Sequence, residues 1–187
     1  HFSTAESGFF RGVATAFRFN NVHTTLFYSH NNVDANLSPE GEITSLKTDG
    51  YHRTPLEYSK RNNTYEQVMG ANINFRHNMF QVGISGLYHS YSKMFNPPLR
   101  YYNIDYWRGN ESTNIGMDYS YRFARWSVHG EVARSQNGVV AQLHTMEYRP
   151  SSLATFSLLF RNYPSNYQAM YARAFADGTR VQNERGV

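Results

Sequence analysis

Strict alternation of apolar and polar side chains over long stretches constrains the fold of this chain more than any other feature. Residues 113–123 show it most clearly, with an apolar side chain at every second position. Residues 64–76 follow the same rule. Because successive side chains of a β-strand point to opposite sides, a period of two predicts two strands, each with one apolar and one polar face.

Short turns at 77–78 and 124–125 join these strands to further alternating stretches, at 80–89 and 126–135. Tight connections between alternating stretches predict antiparallel hairpins. Weaker alternation completes a set of about eight strands. The additional stretches are residues 9–19, 22–30, 139–148 and 153–162.

Strand length and loop length indicate the class of β fold. The predicted strands have roughly 9 to 13 residues, whereas globular strands usually have five or six and tilted membrane strands need about 9 to 11. Short turns alternate with long connections, which span 31–63, 93–112 and 163 onward. Bacterial outer-membrane barrels place short turns at one end and long loops outside the cell. We therefore predict an all-β fold, an antiparallel up-and-down transmembrane β-barrel whose long outside loops carry short helices.

The chain, residues 1–187, is predicted to be a single β-barrel segment without a second domain. It begins at His1 rather than Met, and residues 184–187 offer no final strand that ends on an aromatic residue. The first feature indicates a processed chain or a piece of a longer one, and the second favours a segment of a larger barrel. The alternative is a barrel of eight strands that closes by itself. No apolar run is long enough to predict a transmembrane helix.

Two loop segments are predicted to be helical. Thr54 is a good N-cap, Pro55 suits the first helical position, and Glu57 completes a capping box. A second helix is predicted over residues 165–175 from the spacing of its apolar side chains, with a stop at Asp177-Gly178.

Composition excludes several classes of function. The chain has no cysteine, which removes thiol catalysis, thiolate metal sites and disulfides. Its 18 Lys and Arg residues outnumber 14 Asp and Glu residues only slightly and are dispersed, so no nucleic-acid partner is expected. Metal-binding His pairs, nucleophile elbows and phosphate loops are absent from the sequence. We therefore predict no enzyme activity, no metal site and no cofactor.

In a barrel, the polar faces of the strands line the lumen. The candidate lumen residues are Glu66, Asn72, Asn74, Arg76, Asp118, Arg122, His129, Glu131, Gln142, His144 and Arg161. Because polar groups away from bulk water must be paired, a structural ladder is expected rather than a solute path. In a soluble protein the same apolar faces would form the core, and the period of two fits both arrangements.

Aromatic side chains recur near the predicted strand ends. Amphipathic rings prefer the headgroup level of a membrane, so these residues are expected at the lipid interface. They are Phe19, Tyr28, Phe75, Tyr88, Tyr119, Tyr121, Phe123, Trp126 and Tyr148.

Several short segments, spread over most of the chain, have sequences typical of one protein family. They are Asp34-Ala35-Asn36-Leu37, Ile43-Thr44-Ser45-Leu46, residues 50–57, residues 119–123, Tyr148-Arg149-Pro150-Ser151, Phe175-Ala176-Asp177-Gly178 and Val181-Gln182-Asn183-Glu184. In these segments the chain resembles the barrel region of Bacteroidota outer-membrane proteins that carry a helix-hairpin-helix domain before the barrel. The resemblance implies a location in the bacterial outer membrane. The helix-hairpin-helix part is absent from this chain, so no nucleic-acid role is expected for it.

The expected function is that of an outer-membrane β-barrel protein in transport, or of a subunit of an outer-membrane assembly or secretion complex. Its expected partners are membrane lipid, lipopolysaccharide and other outer-membrane proteins. One alternative is a soluble secreted or periplasmic β-sandwich or lipocalin-like ligand-binding protein. Another is an outer-membrane hydrolase, which requires a convergent cluster from His89, Ser90, His129, Glu131 and Ser135.

Overall fold

The computed structural model describes residues 8–172, 175–176 and 181–187, and its regular structure is almost entirely β. The strands are β1 (Gly12–Phe19), β2 (Val22–Val33), β3 (Ala35–Leu37), β4 (Ile43–Leu46), β5 (Thr64–His77), β6 (Phe80–Phe95), β7 (Gly109–Phe123), β8 (Trp126–Ser135), β9 (Val140–Ser151), β10 (Ala154–Tyr163) and β11 (Glu184–Gly186). A short helix, α1 (Pro55–Tyr58), and a single 3₁₀ turn, Tyr101–Asn103, lie in the two long connections.

The strands form one sheet in the order β1-β2-β5-β6-β7-β8-β9-β10-β11. Each long strand therefore lies beside the strands that precede and follow it, as an up-and-down antiparallel arrangement requires. Off this path, β3 pairs with β4, and β4 makes one parallel bridge to β6 through Ile43 and Phe95. Over the described residues the sheet is not closed.

All eight predicted strands are present, as β1, β2 and β5 to β10, with ends shifted by a few residues. Three short strands, β3, β4 and β11, were not predicted. β11 pairs with β10, Tyr163 with Glu184 and Arg161 with Gly186, and it ends at Gly186 rather than on an aromatic residue.

The short turns share a backbone feature and lie side by side. The first turn residue has a positive φ in three of them, 49° at Asn20, 50° at Asn78 and 47° at Ala124. Backbone hydrogen bonds link each turn to the end of the neighbouring strand, from Arg76 N of β5 to Asn21 O and from Arg149 N of β9 to Arg125 O, at 2.8 and 2.9 Å. These turns therefore form one end of the sheet.

The described chain divides into two compact units, and five strands contribute to both. The first unit comprises residues 8–14, 27–69 and 88–112. Its core is Ala35, Ile43 and Tyr91, with Trp107 packed against them. Ala35 lies on β3, Ile43 on β4 and Tyr91 on β6, so this core packs the first long connection against β6.

The second unit comprises residues 15–26 and 70–87 and all described residues from 113 onward. Its core is Ala141, Tyr163, Tyr167 and Val181. Tyr167 and Val181 follow β10 in the chain, so the segment after the last long strand packs back on the sheet.

The first predicted helix is confirmed. Thr54 Oγ1 accepts a hydrogen bond from Glu57 N at 3.2 Å, and Glu57 Oε2 accepts one from Thr54 N at 3.2 Å, which is a complete capping box. A further hydrogen bond from Arg53 N, at 2.7 Å, is the main reason that the pKa of Glu57 is lowered.

The second predicted helix is wrong where the structure describes it, because residues 165–172 are turns and irregular chain. Tyr167 is buried against the sheet, and the carbonyl oxygens of Asn166 and Gln168 accept hydrogen bonds from side chains of the sheet region rather than from a helix. Ala174, Asp177 and Gly178, on which the prediction also rested, lie outside the described residues.

Candidate functional site

The two faces of the sheet in the second unit differ in exposure, and the apolar side chains are the more exposed. On β7, Ile115 is 57% exposed and Met117 50%, whereas Asn114 and Asp118 beside them are half-buried. On β5, Ile73 is likewise exposed between two half-buried asparagines. In the middle of β5 and β7, exposure therefore follows the same period of two as polarity, but in the sense opposite to that of a soluble sheet. Elsewhere on the polar face, Arg122, His129 and Glu131 are themselves exposed.

Strand register extends these two faces over the second unit, because directly paired residues lie on the same side of a sheet. The apolar face carries Ile73, Ile84, Ile115, Met117, Tyr121, Phe123, Trp126, Val132, Met146, Phe156 and Leu158. The polar face carries Asn72, Asn74, Arg76, Gln81, Ser85, Asp118, Arg122, Ser127, His129, Glu131 and Arg161.

A glycine makes room for polar side chains on the polar face. Gly83 of β6 is buried between Asn74 of β5 and Asp118 of β7. A Cβ atom at Gly83 would overlap Asp118 Oδ1 and would lie 2.8 Å from Asn74 Nδ2. The two polar side chains therefore occupy the space above a residue that has no side chain.

Hydrogen bonds join neighbouring strands along the same face. Asn72 Nδ2 donates to Ser85 Oγ at 2.9 Å, and Arg76 donates to Gln81 Oε1 through Nε at 3.0 Å and Nη2 at 2.6 Å. These hydrogen bonds satisfy polar groups on a partly buried face.

Glu66 lies in the first unit and is buried there with His89. Glu66 Oε1 and His89 Nε2 are 3.2 Å apart, and the imidazole packs edge-on against Tyr91 and Trp107 with centroid separations of 4.5 and 5.7 Å. The pair connects β5 to β6 beneath the core of the first unit.

The candidate hydrolase residues do not form one cluster within either unit. In the second unit, His129 Nε2 is 2.8 Å from Ser127 Oγ, a pairing that the sequence did not single out. No acidic side chain hydrogen-bonds His129 in the part of the chain that the structure describes. Ser135 donates to Asn137 Oδ1, at 2.6 Å, instead of approaching His129.

Gln142 and His144 are corrections to the predicted lumen residues. Gln142 pairs with Val132, and His144 pairs with Gly130. Glu131, which lies between Gly130 and Val132, pairs with Leu143 and faces the other side of the sheet. Gln142 and His144 therefore lie on the apolar face. Their predicted placement beside Glu131 is therefore wrong.

His144 is accommodated on the apolar face by a local polar contact. Its Nδ1 is 3.1 Å from the Tyr119 hydroxyl, and the two side chains meet over Gly130. A hydrogen-bond partner satisfies the ring nitrogen away from the polar face.

The predicted interface aromatics concentrate at the short-turn end of the sheet. Phe19, Phe75, Phe123 and Trp126 are exposed there, and Trp126 stacks on Tyr148 with a centroid separation of 4.4 Å. The remaining members lie along the strands, where Tyr28 and Tyr121 are exposed and Tyr88 and Tyr119 are half-buried.

No protein-family model matches the chain, and neither curated proteins nor solved structures provide a match. The resemblance to Bacteroidota barrels therefore stays a prediction. Across the described ranges, no group of three or more His, Asp or Glu side chains is arranged to hold a metal ion. None of the helices in the described ranges has the length and apolar character needed to cross a membrane.

Proposed function

We propose that the chain is part of a bacterial outer-membrane β-barrel that acts in transport or as a subunit of an outer-membrane assembly or secretion complex. The observation that carries this proposal is the exposure of the apolar side chains beside half-buried polar ones in the middle of β5 and β7. In a soluble sheet the apolar face packs on a core and the polar face meets water. A membrane barrel reverses this arrangement, because lipid surrounds it and its interior is polar.

Strand length and the aromatic positions support the same proposal. β5, β6 and β7 have 14, 16 and 15 residues, more than the roughly 9 to 11 that a tilted membrane strand needs. The aromatic side chains at the short-turn end suit the headgroup level of a membrane. Lipid and lipopolysaccharide are then the partners of the apolar face, and other outer-membrane proteins are partners in a complex.

The proposal is tested by extracting the full-length protein from membranes of the cells that make it. A barrel stays in the membrane through alkaline carbonate and high-salt washes, is released by detergent, and migrates differently on a gel before and after boiling. Release into either wash rejects the proposal and favours the soluble β-sandwich alternative, whose apolar face would then require a protein partner.

A further inference from the structure

The apolar face of the second unit changes character along its strands. Toward the short turns its directly paired side chains are aromatic and aliphatic, and they comprise Trp126, Val128, Met146, Tyr148, Phe156 and Leu158. At the opposite end of β8 to β11 the same face becomes polar. We call this part of the face the polar margin, and it consists of Arg134, Gln142, Asn162 and Arg185.

Strand register places the four side chains of the polar margin next to one another. Gln142 of β9 pairs with Asn162 of β10, and Asn162 pairs with Arg185 of β11. Arg134 of β8 lies one row farther from the short turns, because it pairs with Val140, two residues before Gln142. Three steps between neighbouring strands therefore separate the two arginines, which lie about 15 Å apart with two amides between them.

The polar margin carries positive charge that the protein itself does not neutralise. Arg134 and Arg185 are exposed, and neither has a salt bridge or side-chain hydrogen bond within the described part of the chain. On the other face of the sheet, by contrast, Arg161 is paired with Glu184 at 3.2 Å. The apolar face of β8 to β11 carries no Asp or Glu at the described positions, so the polar margin is complementary to an anion.

The position of the polar margin along the strands indicates where such an anion would come from, and this step rests on the proposed function. Arg134 lies eight residues beyond Trp126 on β8. At about 3.4 Å per residue and a tilt of about 40°, this separation corresponds to about 20 Å of depth, close to the roughly 25 Å height of the apolar band of a barrel. With Trp126 at one headgroup level, Arg134 reaches the other. Because short turns lie at the inner end of such barrels, the polar margin meets the outer leaflet.

We propose that the polar margin binds the bisphosphorylated sugar headgroup of an outer-leaflet lipid, which is the chemistry of the lipopolysaccharide anchor. One phosphate lies at Arg134 and the other at Arg185, since a guanidinium group pairs with phosphate through two parallel hydrogen bonds. The amides of Gln142 and Asn162 face the sugar between the two phosphates. A lipid with a single phosphate engages only one of the two arginines and therefore binds more weakly.

The test uses the detergent-solubilised full-length protein and two forms of lipid A with identical acyl chains, one with two phosphates and one with a single phosphate. Native mass spectrometry measures the Kd of each form. We expect the form with two phosphates to bind about tenfold more tightly, the effect of one additional charge-assisted contact. Inorganic phosphate at millimolar concentration should not displace it, because free phosphate lacks the acyl chains that lie on the apolar face.

Substitutions in the polar margin identify the residues responsible. Arg134→Gln and Arg185→Gln should each reduce the preference for two phosphates, and the double substitution should abolish it. Arg122→Gln is the matched control, because Arg122 is an exposed arginine on the opposite face of the same unit. It removes the same charge and should leave the preference unchanged.

Equal binding of the two forms, binding of neither, or a preference that survives the double substitution overturns the proposal. An Arg122→Gln effect as large as that of Arg134→Gln would show a general charge effect and overturn it too, and displacement by inorganic phosphate would identify an anion site without lipid specificity. A protein that resists the carbonate and salt washes but shows no preference rejects this site alone. Release into the wash rejects the proposed function.

Discussion

Gly83 shows how a single residue shapes the polar face. Replacing it by Ala puts a Cβ atom onto Asp118 Oδ1 and Asn74 Nδ2, so both side chains must move. We expect Gly83→Ala to lower the free energy of unfolding by about 1 kcal/mol, the low end of the cost of overpacking, because the crowded atoms are the ends of side chains that can turn aside. Denaturant unfolding in detergent measures it.

Gly86 is the matched control on the same strand, because a Cβ atom there meets nothing within 4 Å. Gly86→Ala should change the free energy of unfolding by less than about 0.5 kcal/mol. Equal effects of the two substitutions would show that loss of glycine from β6, and not crowding at the polar face, determines the stability change.

Ala124 occupies a backbone conformation that suits another residue better. Its φ of 47° matches those of Asn20 and Asn78 in the equivalent turns. Asn tolerates this left-handed region better than Ala does, so Ala124→Asn should stabilise the protein by about 0.5 to 1 kcal/mol. Thermal unfolding of the variant, beside Arg125→Asn as a control, measures the gain. A lower midpoint for Ala124→Asn than for the control would contradict this account.

The face of the sheet on which a residue lies was predictable only where apolar and polar residues alternate strictly. On β7 every polar residue from Asn114 to Arg122 falls on one side, and the predicted face is found. On β9 both sides carry polar residues, since Thr145 and Glu147 lie opposite Gln142 and His144. A one-residue shift moves every side chain to the other face, so polarity alone misplaced Gln142 and His144. Gln142 and His144 lie four and two residues before the apolar Met146, and this even spacing was the available signal that they share its face.

At the scale of elements, Asp34 stabilises the connection between β2 and β5 through two side-chain contacts. Asp34 Oδ1 accepts a hydrogen bond from Asn62 N at 2.8 Å, and Asp34 Oδ2 is 2.6 Å from His52 Nε2. Asp34→Ala removes both contacts and should cost about 1.5 to 3 kcal/mol of local stability. Amide hydrogen exchange at Asn62 should become faster accordingly.

Asp49→Ala is the control in the same connection. Asp49 is 48% exposed and contacts only Lys47 and the Tyr51 amide among the described residues. Exposed ion pairs contribute little, so exchange at Asn62 should stay unchanged. If Asp49→Ala accelerated exchange at Asn62 as much as Asp34→Ala, the contacts of Asp34 would not specifically stabilise this connection.

Ionisation of Tyr167, in the segment after β10, should destabilise the protein at alkaline pH. The pKa of Tyr167 is raised from 10.0 to about 12, mainly by burial. Between these pH values the native state keeps a proton that the unfolded chain loses. The contribution is therefore fully present below pH 10 and is lost as pH rises through 12, by roughly 2 kcal/mol. Subtracting the pH profile of Tyr167→Phe from that of the natural chain should isolate this loss, and parallel profiles would contradict it.

Elements were predictable in proportion to their length. Eight strands contain enough alternating residues to be recognised, and α1 was recognisable from the residues of its capping box. β3, β4 and β11 have three or four residues each, too few for a period. β3 and β4 are strands because they pair with each other, and β11 because it pairs with β10. The core of the second unit was equally hidden, because it combines β9 and β10 with a segment whose packing no local pattern encodes.

At the scale of the whole molecule, the reversed exposure predicts a specific pattern of solvent contact. The chain lacks cysteine, so one introduced Cys is its sole labelling site. Spin labels at Ile115→Cys and Met117→Cys, in protein reconstituted into lipid vesicles, should collide with oxygen, which concentrates in hydrocarbon. Labels at Asn114→Cys and Asp118→Cys should collide instead with a water-soluble nickel chelate. The alternation arises because neighbouring side chains of β7 lie on opposite faces. Chelate access at all four positions would place both faces in water and leave the apolar face without a membrane to cover it.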